Sequence, residues 1–327
     1  MSHFEAQAMY LGIEIGGTKL QLGVGAGDGG LRGLWRGAVA VAAGAEGIRQ
    51  QIVQAFPQLL ASAGLKPGDI AGAGIGFGGP VDDATRSVIK SHHVAGWDGF
   101  PLVDWIEDTL RLPAVLGNDA DVAGLAEARF GAGQGMSPIF YVTIGSGIGG
   151  GLIVNGAIYR GCGQGAAEIG HLRVREPGAK GPFRILEHIA SGWAIQEEAR
   201  RLVAEPGPSA VELLSLVDGN PQLLTARHVA LAAARGEASS QAILQRAWTA
   251  LAEALCHVIA LLCPRRVVIG GGVSLMGEPL LFAPLRELVA ERVFPPFAGC
   301  YDIVPAALGE AVVIHGALAL AQQQLAR

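Results

Sequence analysis

Short apolar runs broken by glycine turns fill the first forty residues, a pattern that predicts three strands over residues 10–40. The run Tyr10–Ile15 stops at Gly16-Gly17-Thr18-Lys19, the run Leu20–Val24 follows, and Gly27-Asp28-Gly29-Gly30 makes a second turn. From Ala45 to Ala63 the apolar positions change to helical spacing, at Ile48, Ile52, Val53, Phe56, Leu59 and Leu60. Pro67-Gly68-Asp69 breaks that helix, and a glycine-rich buried strand is expected over Ile70–Phe77, closed by Gly78-Gly79-Pro80. A helix over Leu102–Leu110, a short strand over Ala114–Leu116 and a helix over Ala120–Phe130 complete the set.

The pattern then repeats. Strands Ile139–Ile144 and Gly151–Val154 flank the glycine run Gly145–Gly150, and Asn155-Gly156 is a hairpin turn signal. Helices are expected over Leu186–Ala204, Thr225–Ala234 and Glu237–Leu262, with a polar connection and short helical pieces over 206–221. Val267–Ile269 reads as a parallel-type strand running into Gly270-Gly271-Gly272. Ile303–Pro305 is the last strand and Ala311–Gln324 the closing helix. A strand–strand–strand–helix–strand unit thus occurs twice, each with a glycine loop between its first two strands. This predicts an α/β protein of two similar halves facing each other across a cleft. The first half is expected over 1–118, rejoined by the closing helix at about 311–327 because chain ends tend to meet, and the second over 119–310.

Composition narrows the function classes. Half of the 327 residues are hydrophobic, enough for a large core, and the 49 glycines cluster without a collagen-like period. The net charge is −5 and no basic run exists, Arg200-Arg201 and Arg265-Arg266 being the densest pairs, which argues against nucleic-acid binding. Four scattered cysteines (Cys162, Cys256, Cys263, Cys300) fit reduced thiols in a cytoplasmic protein, with Cys256 and Cys263 expected on one buried helix face. Met1–Tyr10 carries Glu5 and no Lys or Arg, unlike a signal peptide, and Ala254–Cys263 is too short to span a bilayer. No membrane association is expected.

The glycine loops carry the first candidate chemistry. Gly16-Gly17-Thr18-Lys19 offers backbone N–H groups, a hydroxyl and an ammonium at the tip of a tight hairpin, which suits phosphate. Both Gly145-x-Gly147-x-x-Gly150 and Gly74-x-Gly76-x-x-Gly79 match a dinucleotide fingerprint, but neither is followed by the helix that fingerprint requires. The Gly145 loop is then a second phosphate clamp or a plain tight hairpin. Asn118-Asp119 joins a strand to a helix, where either residue serves as an N-cap; its other reading is a carboxylate able to accept a proton from an alcohol. Glu168, His171 and Glu187-His188 suit sugar hydroxyls or are solvated loop charge. His92-His93 precedes Gly96-Trp97, and Trp97 is either a core residue or a flat face for a sugar ring.

Taken in order, Glu14–Lys19, Gly74–Pro80, Gly117–Ala120, Gly145–Gly151, Glu168–His171, Leu186-Glu187 with Ser191-Gly192, and Ile269–Gly272 resemble the ROK family (repressors, open reading frames and sugar kinases) of the actin-like, ribonuclease-H-like superfamily. The resemblance covers the chain from Tyr10 onward. It implies a glucokinase-like transfer of the γ-phosphate of ATP to a hexose hydroxyl, with Asp119 as general base. Asn118, Gly79, Glu168, His171 and Glu187 match sugar-binding positions. Gly16, Gly17, Thr18 and Lys19, with Gly145, Ser146 and Gly147, match the phosphate clamps, and Gly271 and Gly272 the adenosine-side loop. Glu14 stands where many members carry Asp and matches a position that holds a magnesium-bound water. ATP and Mg2+ are the implied cofactors, and a homodimer the implied assembly.

Three departures stand out. The family's zinc segment reads Gly178–Glu187 here without its three cysteines, so no structural zinc is expected and His171 is left to the sugar. His93 stands near where many members carry a sugar-contacting Asn, and Asp121 and Ala167 replace the usual Asn and Gly. About nine residues precede the first strand, too few for the helix-turn-helix domain of the repressor branch. The contrasting reading is a sugar-binding regulatory protein of the same fold without catalysis. Metal analysis of protein purified without chelator is expected to find no stoichiometric zinc; one zinc per chain would contradict the reading of the Gly178–Ile185 segment.

Overall fold

The computed structural model describes residues 7–91, 94–175, 183–205 and 207–326. His92, His93 and residues 178–182 of the segment expected to lack zinc fall outside them. Contacts divide the chain into two compact units, one of residues 1–135, 151–166 and 307–327 and one of 136–150 and 167–306.

In the first unit, β1 (Met9–Ile15), β2 (Lys19–Gly25) and β3 (Gly33–Ala38) form an antiparallel meander, followed by helix α1 (Gly44–Ala63), β4 (Ile70–Phe77), a small hairpin of β5 (Val81–Asp82) and β6 (Ser87–Val88), helix α2 (Leu102–Leu110), β7 (Ala114–Asn118) and helix α3 (Asp119–Phe130). The sheet order is β3-β2-β1-β4-β7, with β1, β4 and β7 parallel. β1, β2 and β4 are buried nearly throughout, which explains why they read as continuous apolar runs. α1 contacts β2 and β3, and the closing helix Val312–Leu325 contacts β1, β4 and β7. α1 stops at Gly64, whose left-handed backbone lets its N–H reach back to Leu60 O and Ala61 O. Trp97 is fully buried, edge-on to Phe77 and Phe100, so its core reading holds.

The closing helix lies on the sheet at backbone distance. A Cβ on Gly74 would overlap the Ala317 carbonyl, and one on Gly316 would overlap the Val122 carbonyl of α3. Because α3 packs along this helix, contacts place residues 119–135 in the first unit, whereas the sequence reading set a seam at 118.

The second half repeats the strand order. β8 (Ile139–Ile144), β9 (Ile148–Val154) and β10 (Ala157–Ile158) form its meander, turned at Asn155-Gly156, both in the left-handed region. After the hairpin β11 (Arg173–Arg175) and β12 (Phe183–Ile185) come α4 (Glu187–Ala190), α5 (Gly192–Val203), α6 (Pro208–Ser215), α7 (Ala226–Ala234), α8 (Ala238–Leu262), β13 (Arg266–Gly270), α9 (Ala283–Arg292), β14 (Asp302–Pro305) and the closing helix, α10. The sheet order is β10-β9-β8-β13-β14, the counterpart of the first.

Four local expectations are corrected. β9 starts at Ile148, so Gly149–Gly151 are strand residues. The helix expected over Leu186–Ala204 breaks at Ser191, which N-caps α5 through a bond from Ala194 N. α9 was not foreseen; with Pro284 in its first turn, only Leu285, Leu288 and Val289 of it are buried, too few for a clear stripe. Cys263 lies past the end of α8 at φ 42° rather than on the helix face of Cys256.

Gly74→Ala is expected to destabilise the protein by roughly 1–3 kcal/mol or more, since the obstacle is backbone and cannot rotate away. Urea denaturation of the variant checks this, and an unchanged midpoint would contradict the packing described.

Candidate active site

In the first unit the candidate residues gather at the carboxyl ends of the parallel strands, where α/β sheets place ligands. Ile15 pairs with Phe77, and Phe77 with Asn118, so three strands end in one row. Beyond that row lie Gly16, Gly78 and Asp119. Gly78 N donates to Ile15 O at 2.9 Å, and a Cβ built on Gly78 would lie 3.4 Å from Asp119 Oδ2 and 3.5 Å from Gly16 Cα. Asp119 opens α3, half-buried, with Oδ1 accepting from Ala120 N at 2.8 Å. Asn118 is the N-cap: its Oδ1 accepts from Ala120 N at 2.8 Å and Asp121 N at 3.4 Å, while Nδ2 donates to Gly79 O at 3.0 Å. The cap residue and the first residue of the helix are thus the two candidate site residues.

The Gly16–Lys19 turn is closed by Gly16 N donating to Lys19 O at 3.0 Å, leaving Thr18 and Lys19 exposed. Behind it Glu14 is buried, 5% exposed. Lys19 Nζ sits 2.9 Å from its Oε1, and Gln21 Nε2 donates to its Oε2 at 2.6 Å. Gln21 also donates to Glu310 O at 3.1 Å and accepts from Arg36 Nε at 2.8 Å, so its amide is held on three sides. Burial pushes the Glu14 carboxyl above its usual value, against the opposing pull of Lys19.

In the second unit Gly145 N donates to Gly147 O at 2.9 Å, making a tight turn before β9. Gly192 N donates to Gly145 O at 2.8 Å and Trp193 N to Ser146 O at 3.3 Å, so the first turn of α5 grips this loop. Ile148 is its other anchor. Its N–H donates to Glu187 Oε2 at 2.8 Å, and its carbonyl lies over Gly170, where any Cβ would collide with it. Gly170 sits within the short turn Ile169–His171, with Glu168 before it and both Glu168 and His171 exposed. One strand residue thus ties Glu187 and the Glu168–His171 turn to the glycine loop.

Gly271, at φ 85°, follows β13 with its Cα against Ile144; a Cβ there would come within 2.5 Å of the Ile144 carbonyl. Gly145, Ser146, Gly272, Trp193, Leu231 and Leu275 are among the residues lining a cavity of about 960 Å³. Trp193 and Leu275 are 52% and 86% exposed, apolar surface able to receive a flat apolar group.

Sequence reasoning missed Gln21 and Arg160. A polar residue inside the apolar run Leu20–Val24 was the signal for Gln21; Arg160, after a hairpin, gave none. Among the described residues no group of three or more His, Cys, Asp or Glu could hold a metal ion, and no helix is long and apolar enough to cross a membrane.

Two sheets of one strand order, each with a glycine turn between its first two strands, define an actin-like, ribonuclease-H-like α/β protein. The chain belongs to the ROK family, whose model matches residues 10–324. A glucokinase of Thermotoga maritima is 32% identical over 319 residues, covering 96% of this chain and 98% of the relative. A glucokinase of Halalkalibacterium halodurans is 31% identical, with 96% of each covered. Among solved structures, a ROK family glucokinase from Streptomyces griseus in complex with glucose and AMPPNP superposes with a TM-score of 0.78 at 31% identity, covering 96% of this chain and 99% of that one.

The raised carboxyl of Glu14 makes a pH prediction. The folded protein holds this proton to a higher pH than the unfolded chain, so the contribution is complete below the ordinary value of 4.5 and is lost as pH rises through the folded-state value. Denaturation of wild type and Glu14→Gln across pH is expected to show their stability difference, wild type minus variant, falling as pH rises above 4.5. A difference that is flat or grows would contradict the burial.

Proposed function

We propose that the protein is a glucokinase-like, ATP-dependent hexose kinase with Asp119 as its general base. The observation that carries the reading is the Asp119 carboxylate at the row of strand ends, against Gly78, which also borders Gly16. The relatives with glucokinase names, and the glucose and AMPPNP in one of them, support the substrate pair.

The roles follow from the groups present. The Asp119 carboxylate, one oxygen of which accepts from Ala120 N, accepts the proton of the attacking sugar hydroxyl as the γ-phosphate of ATP is transferred. Asn118 uses one Nδ2 hydrogen on Gly79 O, and the second donates to a sugar hydroxyl. Glu168, His171 and the Oε1 oxygen of Glu187 are assigned to other hydroxyls. Gly16, Gly17, Thr18 and Lys19 bind phosphate, as do Gly145, Ser146 and Gly147, and Gly271 and Gly272 border the adenosine in the large cavity.

Each Glu14 oxygen already has a protein partner but retains a second lone pair. That fits a hydrogen bond from a magnesium-bound water better than direct ligation. Magnesium supplies charge neutralisation on the nucleotide phosphates when bound. A cytoplasmic homodimer completes the proposal.

Asp119→Ala is expected to lower kcat by about 10²–10⁴, with sugar affinity much less affected. A coupled ADP-release assay over a panel of hexoses checks this, and undiminished turnover in the variant would remove Asp119 from the mechanism. Sugar binding with no turnover of any hexose by the wild type would leave the regulatory reading instead.

A further inference from the structure

Arg160 belongs to none of the motifs, yet its guanidinium bridges strand β7 and the turn after β5 at the edge of the candidate sugar site. Nη2 donates to Leu116 O at 3.1 Å, two residues before Asn118 on β7. Nη1 pairs with the Asp83 carboxylate in the turn that follows Gly79 and Pro80. The backbone returns to the same turn: Asp83 N donates to Gly163 O at 3.2 Å, and Gly163 N to Arg160 O at 2.9 Å. Asp82 holds the turn from within, its Oδ1 accepting from Ala84 N at 2.8 Å and Thr85 N at 3.0 Å. The Arg160 side chain is mostly covered, at 19% exposed, and that of Asp83 partly so, at 33%.

We infer that Arg160 is a positioning residue for sugar binding, acting through Asp83 and Leu116 on the two backbone segments that carry Gly79 and Asn118-Asp119. The inference rests on the kinase reading. The bond from Asn118 Nδ2 to Gly79 O spans the same two segments, so the guanidinium and this amide set their separation together. A planar fork with donors on two nitrogens serves two acceptors at once, which a lysine ammonium on a flexible stem does poorly. Without it the Asp83 carboxylate keeps its partial burial and loses its cation, and the turn moves toward water. Burial already pushes the Asp83 carboxyl up, with Arg160 opposing that shift. A displacement well under an ångström at Gly79 or Asn118 misplaces the hydroxyls they hold and the base beside them.

The test compares wild type, Arg160→Lys, Arg160→Met, Asp83→Asn and the Met/Asn double variant by ADP release with glucose, alongside thermal melting. Arg160→Met is expected to raise the glucose KM about tenfold with the ATP KM held within about twofold. Lysine is expected to recover only part of this, and the double variant to be no worse than the worse single, as for one shared interaction. If Arg160→Met does not yield folded protein, Asp83→Asn, which retains the bond to Leu116, reads the same quantity. A glucose KM within about twofold of wild type in folded variants, or equal rises in both KM values, would overturn the inference. Wild type inactive on every hexose would instead defeat the kinase reading, and glucose affinity by calorimetry then carries the same comparison.

Discussion

Three parallel strands that end in one register row are the constraint on which the rest of the first unit depends. Ile15, Phe77 and Asn118 are direct neighbours across the sheet, so the residues next in the chain after each of them are brought together. Those residues are a glycine turn, a second glycine pair and an aspartate that begins a helix. A slip of one residue in the pairing of β4 would turn it over, setting side chains in place of Gly74 and Gly76 against α10, and a slip of β7 would carry Asp119 out of the row. The register is enforced by packing rather than by the site itself, since side chains of β1, β4 and β7 share one buried cluster with those of α1 and α2, and α10 lies against the same three strands.

The same economy of backbone governs both units. α10 approaches β4 so closely that a methyl group at Gly74 has no room, and this fixes the sheet against α3, whose first residue is the proposed base. In the second unit Ile148 does the equivalent work with its peptide groups, binding Glu187 through N–H and supporting Gly170 through C=O. Polar and charged groups at these places are held rather than merely present. Glu187 spends one oxygen on the glycine loop, Glu14 is engaged by Lys19 and Gln21, and Asn118 caps a helix while reaching Gly79. Such commitments keep side chains in one geometry, which positioning catalysis requires.

Much of this was legible in the chain. The doubled strand–strand–strand–helix–strand pattern came through because both sheets are covered and their strands are apolar runs ended by glycines. The Asn118-Asp119 junction was readable because an N-cap signal and a strand end coincide there. Other features depended on distant partners and left no local mark. Arg160 gains meaning only when Asp83 and Leu116, far away in sequence, are placed beside it. Ser191 looked like one more helical residue until its cap to Ala194 broke the helix. The division of the chain was also out of local reach, because residues 119–135 join the first unit through contacts with α10, nearly two hundred positions later.

On the proposed chemistry the Asp119 carboxylate, against Gly78 at the row of strand ends, receives the proton of a sugar hydroxyl. A crystal structure of the protein with glucose bound tests it most directly. A hydroxyl oxygen of the sugar is expected within about 2.6–3.2 Å of an Asp119 carboxylate oxygen. Glucose seated in the protein with none of its hydroxyls reaching Asp119 would contradict it.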